Sequence, residues 1–168
     1  QIDHGRLTIV LNGEIYNYIE LREELEGAGR VFKSRSDTEV LLHLYEEKGP
    51  ACLRELDGMF AFAIWDPARR TLFAARDRLG KKPFVYRHDG TRFQFASELA
   101  ALEGPRSVDR AALEQYLAFG YISAPLTIYE NKIPQCAVER QLRNDGLCIV
   151  NRSVPVYSTR TPNCPAPG

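Results

Sequence analysis

The chain has 168 residues, 44% hydrophobic and 26% charged, an ordinary globular composition that is large enough for one domain with a buried core. Its 22 Lys+Arg balance 22 Asp+Glu, and no basic stripe marks a nucleic-acid or anionic-membrane partner. No apolar run is long enough to cross a bilayer as a helix, and the four cysteines (Cys52, Cys136, Cys148, Cys164) show no CxxC or zinc spacing, which predicts no metal site and a reduced, cytoplasmic setting.

The first predicted element is a strand, Arg6 to Leu11, in which Leu7, Ile9 and Leu11 alternate with Thr8 and Val10. It runs into the polar group Asn12-Gly13-Glu14. A short helix follows, with Tyr18, Leu21 and Leu25 on one face and a stop at "GAG". Val31 to Lys33 fits a further short strand. In "SRSDTEVLLHLYEEKG" the spacing of Ser36 and Glu39 predicts a capping box, with Val40, Leu41, Leu44 and Tyr45 on the buried face of the helix behind it. "PACLREL" continues as a second helical piece.

From Met59 the period changes. In "MFAFAIWD", Phe60, Phe62 and Ile64 alternate with Met59, Ala61, Ala63 and Trp65, so both faces are apolar and the strand is expected between two layers. "DPARRT" suits a type I turn, "LFAARD" pairs back, and "PFVYR", "HDGT" and "RFQFAS" form a second hairpin. The expectation is a four-stranded antiparallel meander. "VDRAALEQYLAFG" is a helix with Asp109 as N-cap and Gly120 as its stop. The class is α+β. Neither GxGxxG nor a phosphate loop is present. Beyond "IP" the periodicity fades, so residues 1–134 are read as the domain and 135–168 as a divergent or disordered tail.

Three polar clusters fall at element boundaries. An Asn amide beside a Gly N–H, as at Asn12-Gly13, supplies two donors of the kind an oxyanion hole needs, although Asn and Gly are equally turn residues. Asp37, after Ser36, is either a carboxylate favoured by a helix N-terminus or a partner for a substrate ammonium group. In "ARDRLGKKPFVY", an Arg76-Asp77 pair leaves an apolar strand, which predicts a buried ion pair. His43, between Leu42 and Leu44, reads as structural, and Cys52 as a small buried residue rather than a nucleophile.

Taken in order, "LNGEIYNY", "SRSDTEVLLHLYEEKG", "LDGMFAFAIWD", "ARDRLGKKPFVY", "FASE" and "LAFGYISAPLTIYENKIP" resemble the N-terminal glutaminase domain of glutamine-hydrolysing asparagine synthetase, from about residue 6 to residue 134. The resemblance implies a class II glutamine amidotransferase with an N-terminal-nucleophile hydrolase fold. That fold is a four-layer α-β-β-α sandwich of antiparallel sheets, here truncated at its N-terminus. In that family an N-terminal cysteine attacks the side-chain amide of glutamine with its own α-amino group as base. The ammonia passes to a C-terminal synthetase domain that uses ATP and Mg²⁺ to turn aspartate into asparagine.

Carried over, the resemblance makes Asn12 and the Gly13 N–H the oxyanion hole. Asn12, Glu14 and Asp37 become glutamine ligands, and Arg76-Asp77 and Ser97-Glu98 scaffolding. The family's nucleophile and arginine loop have no counterpart, since the chain begins with Gln1. The synthetase half is missing too, and the abrupt change near Gln135 suggests a lost reading frame. The chain is therefore expected to be an inactive fragment that needs no cofactor, with glutamine and the missing synthetase domain as partners and a homodimer at full length. The alternatives are a non-catalytic glutamine-binding remnant, or another class II amidotransferase such as an asparagine-synthetase-like biosynthetic enzyme or a glucosamine-phosphate or phosphoribosyl type.

Overall fold

The computed structural model describes residues 2–3, 7–88, 92–104, 106–123, 126–130, 140–142 and 147–151. Strands β1 (Ile2–Asp3), β2 (Thr8–Ile15), β3 (Gly58–Asp66), β4 (Thr71–Arg76), β7 (Arg140–Leu142) and β8 (Leu147–Asn151) form one sheet in the order β1-β2-β3-β4-β8-β7. Strands β5 (Val85–His88) and β6 (Phe93–Ala96) pair antiparallel as a separate sheet. Helices α1 (Tyr18–Gly27) and α2 (Asp37–Lys48) lie between β2 and β3 in the chain, with a 3-10 turn, Gly49–Arg54, after α2. Helix α3 (Arg110–Phe119) follows β6.

Side-chain size sorts the two faces of β3. Phe60, Phe62 and Ile64 join Ile9, Ile15 and Phe73 in the main core, which Leu21 and Leu25 of α1 and Val40, Leu41, Leu44 and Tyr45 of α2 close. The opposite face offers Ala61, Ala63 and Ala74. Onto these small side chains pack Phe84, Tyr86, Phe93 and Phe95 of the second sheet. Large residues toward the helices and alanines toward the second sheet let two β layers stack, since face-to-face sheets share a core only about 10 Å thick. Phe84 stacks on Phe95 and Tyr86 on Phe93, with ring centroids 5.5 Å apart in each pair. Behind the small sheet, Val85 meets Leu102, Leu99 and Tyr129. The expected α+β class and sandwich of sheets are what the structure has.

Several local expectations change. The four strands from Met59 onward are two hairpins in different sheets rather than one meander, because the chain leaves β4 through the tight loop 77–84 and crosses to the other layer. Val31 to Lys33 is not a strand; Lys33 and Ser34 instead donate their N–H groups to the Glu39 carboxylate at 2.8 and 2.7 Å. That also halves the capping box. Ser36 is the N-cap of α2 and accepts from Thr38 N, but Glu39 reaches back past it to the preceding loop. Asp109 caps α3 by accepting from Ala111 and Ala112, and Gly120 ends it in the left-handed region.

One sheet pairing is parallel. β8 lies alongside β4 from Leu72↔Leu147 to Arg76↔Asn151, after a connection long enough for a crossover. Within the segment read as a tail from residue 135, β7 and β8 are therefore strands, and the rest of it lies outside the described residues. The Asp89-Gly90 turn signal also lies outside them.

Candidate functional site

The strand read as ending at Leu11 continues to Ile15, so Asn12, Gly13 and Glu14 sit inside β2, opposite Ala61, Phe60 and Met59 of β3. The turn reading of Asn12-Gly13 fails for that reason. Their polarity makes physical sense from the strand's alternation. Ile9, Leu11 and Ile15 face the helices, so Asn12 and Glu14 face the other way, where the small sheet stops short and leaves Glu14 exposed.

Gly13 is required by packing. Its φ is +141°, and a Cβ there would stand 2.1 Å from the Met59 carbonyl oxygen and 2.7 Å from Phe60 Cα. The ladder explains the crowding. Tyr16 N donates to Asp57 O at 2.7 Å, and Asp77 N on the far side of β3 donates to Phe60 O at 2.7 Å. Backbone groups alternate in direction along an antiparallel strand, so Gly13 and Phe60 form a non-hydrogen-bonded pair, the closer of the two kinds. Two consequences follow. The strands touch at Gly13, and its N–H points away from β3 toward the outer edge of β2. Ile15 N has the same parity, and it is found donating to a side chain on that edge, the Asp37 carboxylate, at 3.1 Å. β1 covers that edge only at Thr8 and Ile9, and no described strand pairs with it at Gly13.

Asp37 is the first residue of α2, where unpaired N–H groups and the helix dipole favour a carboxylate. Its Oδ2 binds β2, and its Oδ1 accepts from the Ser36 and Thr38 hydroxyls at 3.4 and 3.3 Å. The helix start is thereby tied to the strand end, with Asp37 one residue along from Glu14. On the other side the Asn12 carboxamide donates from Nδ2 to the Ser97 hydroxyl at 3.0 Å. The fold thus brings Asn12, Gly13, Glu14 and Asp37 to one end of β2. Ser97 is the neighbour whose contact with Asn12 no local sequence signal gives, because 85 positions separate them.

The Arg76-Asp77 motif builds a loop instead of an ion pair with each other. Asp77 is 4% exposed, and its carboxylate accepts from Leu79 N, Lys81 N and Lys82 N at 3.1, 2.9 and 3.0 Å. Burial alone would raise its pKa, but the N–H donors, Lys82 first, outweigh burial and hold the carboxyl below the usual aspartate range. The Arg76 guanidinium donates to the carbonyls of Gly80 and Lys82 in the same loop. This loop and the Gly49–Arg54 turn border a cleft of about 200 Å³ that includes Tyr16, Leu53, Leu56 and Phe60. The cleft contains none of Asn12, Glu14 or Asp37. The Gly13 N–H and Asp37 lie at the outer edge of β2, and the Asn12 and Glu14 side chains project from its face, outside this cleft.

His43 is buried in α2, edge-on to Phe32 with centroids 4.6 Å apart, in keeping with a structural residue. Cys52 is fully buried, and burial pushes its thiol up to about 12. It is no thiolate. Among the described residues, no group of three or more His, Cys, Asp or Glu is placed to hold a metal ion. No helix of the described residues is long and apolar enough to cross a membrane.

Two sheets stacked beside helices, with amide donors and carboxylates at one strand end, match the plan of the amidotransferase sandwiches. Comparison with known proteins agrees: the family described as "Glutamine amidotransferase domain" matches residues 2–145. The chain belongs to the glutamine amidotransferase domain family. It is 48% identical over 124 residues to a glutamine-hydrolysing asparagine synthetase of Bacillus subtilis, covering 71% of this chain and 20% of that protein. It is 41% identical over 137 residues to a putative glutamine-hydrolysing asparagine synthetase of Methanocaldococcus jannaschii, covering 78% and 26%. Among solved structures, the B. subtilis glutamine phosphoribosylpyrophosphate amidotransferase complexed with ADP and GMP overlays with a TM-score of 0.51 at 30% identity. That overlay covers 60% of this chain and 24% of the other. The chain therefore spans about a fifth to a quarter of the length of these relatives.

Proposed function

We propose that this domain binds glutamine and hydrolyses its side-chain amide as the glutaminase part of a longer asparagine synthetase, which passes the ammonia to aspartate activated with ATP. In this reading the Asn12 carboxamide and the Gly13 N–H stabilise the oxyanion of the tetrahedral intermediate. Glu14 and Asp37 receive the α-ammonium group of glutamine, where charge-assisted hydrogen bonds reject amides that lack one. The observation that supports it best is the direction of the Gly13 N–H. It faces the edge of β2 that no described strand covers at Gly13, and the Asn12 carboxamide projects from the adjacent residue, so the two donors are sequence neighbours on one stretch of β2. Naming asparagine as the product rests on the relatives, whose names carry it at 41–48% identity, above the 30% to the phosphoribosyl type.

The nucleophile is assigned by family to an N-terminal cysteine. Within residues 1–168 no cysteine follows a free α-amine, and Cys52 is buried and protonated. The 168 residues alone are accordingly proposed to hold glutamine without turning it over. ATP and Mg²⁺ are proposed for the synthetase portion, since residues 1–168 contain no phosphate loop. A cytoplasmic setting and a homodimeric full-length protein complete the proposal. The test is transfer of label from [amide-¹⁵N]glutamine by the full-length protein with aspartate, ATP and Mg²⁺. Labelled asparagine formed with glutamate supports the reading. Glutamate without asparagine assigns a different acceptor, and no glutamate at all refutes it.

A further inference from the structure

We infer that Ser97 is a positioning residue for the amidase chemistry. Its hydroxyl fixes the Asn12 carboxamide so that one Nδ2 hydrogen is held and the other is presented to the oxyanion. This rests on the reading of Asn12 as an oxyanion donor and extends it to a residue on the second sheet.

The side chain of Asn12 needs an external constraint. A terminal carboxamide turns about a broad, roughly two-fold torsion, and a half-turn exchanges its NH₂ for its carbonyl oxygen. An oxyanion hole supplied by the wrong end would repel the charge it should stabilise. The neighbours on β2 cannot enforce the choice. Gly13 has no side chain, Val10 is 52% exposed, and Glu14 is exposed. The contact that reaches the amide is Ser97 Oγ, which accepts from Nδ2 at 3.0 Å; because a hydroxyl can also donate, what this contact supplies is an anchor that narrows the torsion and holds the carboxamide in place. An amide nitrogen has two hydrogens, so one bond to Ser97 leaves the second available.

Ser97 is itself well placed to hold still. It follows β6 directly, and β6 is pinned to β5 through Val85↔Ala96 and Tyr86↔Phe95. That hairpin is set onto β3 and β4 by Phe84, Tyr86, Phe93 and Phe95 against Ala61, Ala63 and Ala74. The position of one hydroxyl is thus referred through a packed aromatic layer back to the strand neighbouring Asn12. A site held by packed elements keeps its geometry better than one held by a loop alone.

The test uses the full-length protein and steady-state glutamine hydrolysis by wild type, Ser97→Ala, Ser97→Thr, Asn12→Ala and the double variant Asn12→Ala/Ser97→Ala. Removing an oxyanion donor costs about 10²–10³ in kcat, which sets the expectation for Asn12→Ala, and a lost positioning contact is expected to cost about 10-fold. The expected pattern is a kcat for Ser97→Ala about 10-fold down at unchanged KM, recovery in Ser97→Thr, and a double variant no slower than Asn12→Ala. A merely structural serine would lower melting temperature or raise KM without that kcat-only split. If Asn12→Ala loses turnover while Ser97→Ala keeps it, or if the two losses multiply, the positioning role is overturned and the reading of Asn12 stands. If Asn12→Ala keeps full turnover, or wild type has none, the reading of Asn12 falls and takes this inference with it.

Discussion

Replacing Gly13 by alanine probes the close approach of β2 and β3. The new methyl would sit 2.1 Å from the Met59 carbonyl oxygen and 2.7 Å from Phe60 Cα, and neither is the movable end of a side chain. Holding a non-glycine residue at φ +141° costs about 1–3 kcal/mol, and forcing the β2 and β3 ladders apart adds about 1–3 kcal/mol, as overpacking does elsewhere. The sum, about 2–6 kcal/mol, corresponds to a fall in Tm of about 5–20 °C for a domain of this size. Gly27 is the matched control. It is the last residue of α1, and nothing lies within 4 Å of the Cβ it would gain. Gly27→Ala should be neutral or stabilising by about 0.5–1 kcal/mol through helix propensity. Calorimetric melting of the three proteins decides the matter. A Gly13→Ala protein melting within a degree of wild type would refute the close-pair geometry and, with it, the argument for where the Gly13 N–H points.

Other consequences follow from the buried polar groups. The Asp77 carboxyl is held below its ordinary value, so it stabilises the fold at pH above about 4, and that contribution drains away as pH falls through the lowered folded value. Asp77→Asn should lose about 1–3 kcal/mol at neutral pH, because the amide NH₂ cannot accept, and its acid unfolding curve should be shallower than wild type; parallel curves would contradict this. Cys52, fully buried with its thiol pushed up to about 12, should resist alkylation in native protein at pH 8 and react once denatured, as peptide mapping would show; rapid native labelling would refute its packing.

What could be read from the residues was what local spacing encodes. The helix faces of α1 and α2, the Ser36 and Asp109 caps, the Gly120 stop and the doubly apolar β3 all follow from 3.6- or 2-residue periods and cap chemistry. The β2 end was misread because Asn and Gly are turn formers, and the forces that make them strand residues come from Met59 and Phe60, more than 40 positions away. Glu39 misled for a similar reason. Its spacing from Ser36 fits a capping box, but the loop at Lys33 and Ser34 offers three donors against one. The ion pair expected of Arg76 and Asp77 gave way to backbone partners, since the loop that follows β4 wraps N–H and C=O groups of its residues 79–82 around both side chains. The division into two sheets is a tertiary choice. The alanines of β3 hint at it, but only the aromatic hairpin that lands on them settles it.

The most direct test of a glutamine site at the end of β2 is isothermal titration of L-glutamine into residues 1–168 alone and into their Glu14→Gln and Asp37→Asn variants. The account predicts a saturable one-to-one isotherm for wild type. Affinity should be weaker by about 10-fold or more in each variant, the scale of one lost charge-assisted hydrogen bond. An isotherm unchanged by both substitutions, or no binding heat to wild type, would contradict it.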